Sequence, residues 1–225
     1  MIIIAGGIKG GSGKTTVATN LAVIRAGEGH DVLLVDADDQ ETATDFTNLR
    51  NEQEGMSIRY TGIKLTGAAV RTEILKLRPK YQDIIIDTGG RDTTSQRAAM
   101  TIADMLLVPF VPRSFDVWTL EKVGTLVDEM RTVNPNLLAC TFLNRADPRG
   151  QDNSDAGDVL RDCSSLHFIG LQLGARKAFS NAAAQGMSVT ELRHTDSKAV
   201  NEIMLLYRYV FDSKNISDVY QQPGA

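Results

Sequence analysis

Lys9-Gly10-Gly11-Ser12-Gly13-Lys14-Thr15-Thr16 sets two lysines, three glycines and three hydroxyls in a row, directly after the apolar run Ile2-Ile3-Ile4-Ala5. Glycines let consecutive backbone N–H groups converge on an anion without Cβ collisions, and a helix beginning at the end of the run adds its positive N-terminal field. Lys14 supplies a cation that can follow a phosphate, and Thr15 offers a hydroxyl to a magnesium ion. The implied ligand is a nucleoside triphosphate with Mg2+. Its candidate binding residues are Gly10, Gly11, Ser12, Gly13, Lys14, Thr15 and Thr16.

Two acidic groups follow apolar runs. Asp36-Ala37-Asp38-Asp39-Gln40 comes after Val32–Val35, and Asp87-Thr88-Gly89-Gly90 after Ile84-Ile85-Ile86. In an open α/β sheet, ligands sit beyond the carboxyl ends of the strands, where both groups fall. Carboxylates beside a triphosphate repel it unless magnesium or water lies between, so their chemistry would be metal-shell organisation and orientation of an attacking water. The lesser alternative for Asp36 and Asp38 is an acidic helix cap and first turn. Asp87, followed by glycines, suits a carboxylate that holds magnesium through water while residues 88–91 sense the terminal phosphate. Asn144-Arg145 ends the apolar run Leu137–Leu143. An Asn amide can give an adenine edge both donor and acceptor and an Arg can stack beside it, although Asn also favours loop starts.

These groups need a scaffold. Val17, Leu21 and Ile24 repeat at helical spacing, and Gly27 and Gly29 stop the helix. Strands are predicted over 32–35, 83–87, 105–110, 137–143 and 167–171, with a short edge strand over 57–61 and a turn-rich connection over 62–67. Helices are predicted over 42–56, 69–77, 117–130, 155–160 and 198–211, with Trp118 packed partly against the sheet. Runs apolar on both faces belong to a helix-covered parallel sheet. The expected fold is therefore α/β: a three-layer P-loop NTPase fold with a largely parallel central sheet flanked by helices. Residues 1–211 are expected to form a single ATPase domain and 212–225 a frayed tail.

With 225 residues, 42% hydrophobic, 23% charged and a formal net charge of −4, the composition is that of a globular protein and not of a uniformly basic nucleic-acid coat. No run approaches 18 apolar residues, and Met1–Ala5 is too short for a secretory signal, so a cytoplasmic protein is expected. Cys140 and Cys163 form no disulfide framework, and His30, His167 and His194 form no zinc spacing.

The usual phosphate loop has glycine where this chain has Ile8, and Lys9 follows it. This run resembles the deviant phosphate loop of the ParA/MinD family of ATPases. Asp36-Ala37-Asp38, Asp87-Thr88-Gly89, Pro112-x-x-Phe115-Asp116, Asn144-Arg145, Arg176–Phe179 and Gly186–Val189 resemble further family segments. The resemblance implies slow Mg2+-dependent hydrolysis of ATP to ADP and phosphate, controlled by an ATP-dependent homodimer. It assigns Lys9 to the phosphates of the partner subunit, Lys14 to those of its own, Thr15, Asp36 and Asp87 to the magnesium neighbourhood, and Asp38 to the attacking water.

With no DNA-binding extension before Ile2, the chain looks like the short ParA-type plasmid or chromosome partition ATPases. That implies nonspecific double-stranded DNA as a partner, with Arg176, Lys177, Arg193 and Lys198 as candidate contacts. It also implies nucleoid association in the ATP state and a ParB-like centromere-binding adaptor. The alternative is a ParA-like positioning ATPase for a non-DNA cargo, and below it stand a MinD-like membrane-associated regulator and a metabolic P-loop ATPase. The last helix lacks the basic amphipathic character of a membrane-targeting segment. One departure is Asp39-Gln40-Glu41, where many partition ATPases have Pro-Gln-Gly.

Overall fold

The computed structural model describes residues 1–53, 59–114, 117–147 and 151–212. Phe115, Asp116 and nearly all of the expected tail lie outside them, as do Ser57 and Ile58. Seven strands make one sheet: β1 (Ile2–Ala5), β2 (Val32–Ala37), β3 (Tyr60–Lys64), β4 (Asp83–Thr88), β5 (Met105–Phe110), β6 (Leu138–Ala146) and β7 (His167–Gly174). The order is β3-β2-β4-β1-β5-β6-β7, and every pairing is parallel. Among the described residues, eight α-helices flank the sheet: α1 (Lys14–Gly27), α2 (Thr42–Asn51), α3 (Ala69–Leu77), α4 (Thr94–Met100), α5 (Val117–Arg131), α6 (Asp152–Arg161), α7 (Lys177–Ala183) and α8 (Ser197–Phe211).

Strand alternation divides the core into two layers. Ile3, Val32, Leu34, Ile85 and Leu107 pack with Val17 and Leu21 of α1 and Ile203 and Leu206 of α8. Ile2, Ile4, Leu33, Val35, Ile84 and Ile86 face Val70 and Ile74 of α3, Met100 of α4 and Val123 and Val127 of α5. Burying each such side chain stabilises the fold by roughly 1.5–3 kcal/mol, so the central strands are held from both faces. The three-layer α/β architecture is the one expected.

Two local expectations are corrected. The edge strand runs over Tyr60–Lys64, in register with Val32–Asp36 of β2, and so takes in residues expected to turn. Backbone pairing to β2 holds Gly62 in line despite its turn-forming composition. Trp118 is 74% exposed and does not pack against the sheet.

A buried brace lies behind α1 and α2. Arg50, at the end of α2, donates to both carboxylate oxygens of Glu191 at 2.8 and 2.7 Å and to the carbonyl of Gly186 at 2.9 Å. Asn20 of α1 accepts from the Ser188 hydroxyl at 2.9 Å and from the Val189 N–H at 3.0 Å. Burial alone would raise the Glu191 pKa, but Arg50 and the Ser188 N–H outweigh it and lower it. Arg50→Ala is expected to destabilise the protein by about 3 kcal/mol, because it leaves a half-buried carboxylate unpaired. The Glu191 contribution is complete above its unfolded value of 4.5 and is lost as pH falls through the lower folded value. The difference between the melting curves of wild type and Arg50→Ala should therefore shrink as pH is lowered through that window to the part carried by the Gly186 contact, and a constant difference would refute the pairing.

Candidate active site

Parallel register assembles the site. Ala5 of β1 is opposite Asp87 of β4, and Asp87 is opposite Asp36 of β2. The carboxyl ends of three adjacent strands thus meet where β1 runs into the glycine loop, with β4 and β5 on either side of β1. A cleft of 790 Å³ opens there, lined by Gly10, Gly11, Gly13, Lys14–Thr16, Asp38, Gly89–Arg91 and Arg145. Neither Ser12 nor Lys9 lines it. Ser12 is 5% exposed.

Gly11 and Gly13 have φ of 72° and 92°, the left-handed region that favours glycine. Gly13 leads straight into α1 with no side-chain cap, so the helix start has N–H groups to offer an anion. Lys14, 6% exposed, donates to the Lys9 carbonyl at 2.9 Å. Burial lowers its pKa, partly opposed by the negative charges of Asp87 and Asp38. An anion in the cleft would give this buried ammonium a better partner than a carbonyl.

Asp87 is completely buried, and neither of its oxygens has a well-aligned hydrogen-bond partner among the described residues. Burial, with Asp36 and Asp38 adding to it, pushes its pKa up to about 7, while the adjacent Thr15 hydroxyl and Lys14 pull it down. An orphaned carboxylate beside a threonine hydroxyl and a phosphate loop fits a divalent cation, whose charge would compensate it. Among the described residues there is no cluster of three or more His, Cys, Asp or Glu that could hold a metal.

Asp36 is committed differently. Its Oδ2 accepts from the N–H and hydroxyl of Thr44 at 2.7 and 2.8 Å, and its Oδ1 from the Asp38 N–H at 3.1 Å. In this geometry it anchors the start of α2 and orders the loop carrying Asp38. Asp38 lines the cleft, and its Oδ1 accepts from the Gln40 N–H at 3.2 Å.

The loop after β4 sits on the phosphate loop. A Cβ on Gly90 would lie 2.6 Å from Gly10 Cα and N, and one on Gly89 would lie 2.9 Å from Asp38 Oδ1. Behind this contact, Gln96 of α4 accepts from the Gly7 N–H and the Thr88 hydroxyl, both at 2.9 Å. Gln96, 1% exposed, ties α4 to the start of the phosphate loop. A lone glutamine inside a short helix carries no sequence signal for that role.

A second cavity of 300 Å³ shares Gly13, Thr16 and Arg145 with the cleft and adds Asn144, Gly174, Arg176 and Phe179. Arg145 is exposed and holds φ 53°, a conformation unusual for a residue with a Cβ. Asn144 is buried, with its amide engaged by the backbone of Ser12 and Arg145. Of the candidate DNA contacts, Lys177, Arg193 and Lys198 are exposed. Arg176 is instead engaged by Glu202, with Nε–Oε2 at 2.9 Å, and by Asp196 at 3.9 Å.

A parallel sheet whose central strand enters a glycine-rich anion loop, faced by strand-end carboxylates, defines a P-loop nucleotide-binding hydrolase. Residues 2–189 match the model of the CobQ/CobB/MinD/ParA nucleotide binding domain family, and the chain belongs to that family. Family membership implies ATP- and Mg2+-dependent catalysis. The maintenance of carboxysome distribution protein A of Halothiobacillus neapolitanus is 24% identical over 92% of this chain and 94% of its own length. Its namesake from Gloeobacter kilaueensis is 31% identical over 84% of each. Protein IncC of Escherichia coli is 23% identical over 93% of this chain and 68% of its own length. Among solved structures, an ATP complex of a Cyanothece McdA variant superposes with a TM-score of 0.76, 18% identity and coverage of 94% of this chain and 95% of that one. The relatives span several branches of one ATPase superfamily. Among the described residues no helix is long and apolar enough to cross a membrane.

Proposed function

We propose that this chain is a cytoplasmic positioning ATPase that distributes a non-DNA cargo, a protein assembly, by cycling between ATP-bound dimer and ADP-bound monomer. The observation that carries this reading is similarity to two carboxysome distribution proteins over most of the chain and most of theirs. The relatives thus favour cargo positioning over the DNA-partition function expected from the motifs. Plasmid or chromosome partition is the second reading, favoured by the chromosome-partitioning ATPase Soj of Thermus thermophilus, 34% identical over 52% of this chain. In both readings the ATP dimer would travel on nonspecific duplex DNA, and an adaptor, ParB-like in the second, would trigger hydrolysis.

In hydrolysis, the N–H groups of Gly10, Gly11 and Gly13–Thr16 hold the phosphate oxygens and Lys14 neutralises charge developing on the transferred group. Asp38, at the cleft wall, orients the attacking water. Thr15 and Asp87 would hold magnesium, with Asp36 ordering the adjacent loop. When bound, magnesium supplies further charge compensation at the phosphate oxygens. Lys9 reaches the phosphates of the partner subunit. Adenine would occupy the 300 Å³ cavity beside Arg145.

Deleting the gene in its host should collapse the spacing of a protein assembly while plasmid and chromosome inheritance stay at wild-type frequency. Plasmid loss or anucleate cells with normal assembly spacing would overturn the cargo reading in favour of partition.

A further inference from the structure

Asn144 lies near the end of β6, where register against β7 shifts between Thr141 and Leu143 and again between Leu143 and Ala146. It is 6% exposed. Its Nδ2 donates to the Ser12 carbonyl at 2.6 Å, and its Oδ1 accepts from the Arg145 N–H at 3.0 Å. The donor faces a carbonyl and the acceptor faces an N–H, so the network fixes the orientation of the amide. Packing is close as well: a Cβ on Gly13 would lie 2.2 Å from Asn144 Nδ2.

In a planar trans peptide the C=O and the following N–H point in opposite directions. Holding the Ser12 carbonyl on Asn144 therefore turns the Gly13 N–H away from Asn144. Gly13 lines the 790 Å³ cleft and Asn144 does not. Without this bond the Ser12–Gly13 peptide could rotate and present a carbonyl to the anion. Turning the amide toward an adenine would break the bonds to Ser12 and Arg145 together.

We infer that Asn144 is a positioning residue for triphosphate binding: it sets the Ser12–Gly13 peptide so that N–H groups face the phosphates, whatever base is attached. This rests on reading the cleft as the triphosphate site. The same contact joins the base-side cavity to the phosphate loop, since Arg145, whose N–H it holds, lines both.

The test compares a ligand with a base and one without. Affinities of ATP, inorganic tripolyphosphate and adenosine are measured by calorimetry for wild type, Asn144→Ala and the nearly isosteric Asn144→Asp, which keeps an acceptor for Arg145 but cannot donate to Ser12. Both variants should lose about tenfold in ATP affinity and the same factor for tripolyphosphate, the scale of one buried hydrogen bond, with adenosine unchanged. Melting curves verify folding, and if the alanine variant melts early the aspartate variant carries the comparison. A loss for ATP with tripolyphosphate unaffected would assign Asn144 to the base and overturn the inference, as would no loss for either. Wild-type protein that bound neither ATP nor tripolyphosphate would overturn the site reading itself.

Discussion

Lys14→Ala is expected to lower kcat for ATP hydrolysis by about 10²- to 10³-fold, the scale of removing one preorganised charged donor from a developing anion. Lys14 is the cation buried inside the cleft wall, its Nζ parked on the Lys9 carbonyl within the field of Asp87 and Asp38. Its removal takes away charge from the transferred phosphate and also a counter-charge for Asp87, which burial already makes costly to ionise. Affinity for magnesium-ATP should therefore fall along with turnover. A steady-state assay at saturating ATP reads the first effect and titration with a non-hydrolysable analogue the second. Unchanged kcat would mean that Lys14 is not the group meeting the terminal phosphate.

Lys9→Ala should behave differently. The backbone of residue 9 is pinned, because its carbonyl accepts from Lys14 and its carbonyl carbon would be 3.0 Å from a Cβ on Gly90. Lys9 does not line the cleft of its own subunit. A lysine at the edge of the phosphate loop but outside the cleft wall is suited to a second copy's ligand. The variant should keep monomer affinity for ATP within about threefold of wild type, since no donor inside the cleft is lost. Turnover should drop by about 10²-fold, the lower end of what one charged donor contributes. A parallel fall in ATP affinity would place Lys9 in its own subunit's site instead.

Much of this was legible because it is local in the chain. Ile2–Ala5, Val32–Val35 and Ile84–Ile86 are apolar on both faces, which marks central parallel strands, and the residues following each form the ligand edge. What escaped is set by tertiary partners. Tyr60, Thr61 and Ile63 favour extension, but Gly62 reads as a turn, and it is pairing with β2 that carries the strand through it. Gln96 gains meaning only where α4 crosses Gly7, and the Arg50–Glu191 pair joins residues 141 apart in sequence. Asp36 fits both readings of an acidic residue at a strand end, and only the position of Thr44 reveals the anchoring contact. Val117 and Trp118 both face outward, while the apolar residues of the same helix from Leu120 onward form the buried stripe. Periodicity located that stripe but did not fix the orientation of its first turn.

The proposed function turns on an ATP-dependent dimer in which Lys9 completes the partner's site. Light-scattering mass measurement of wild type and Lys9→Ala, each with magnesium and either ADP or a non-hydrolysable ATP analogue, tests it most directly. The expected result is a doubling of mass for wild type with the ATP analogue alone, and monomer for Lys9→Ala in both nucleotides. Wild-type protein that binds the analogue but stays monomeric, or a Lys9→Ala variant that dimerises as wild type does, would rule out a role for Lys9 across the dimer.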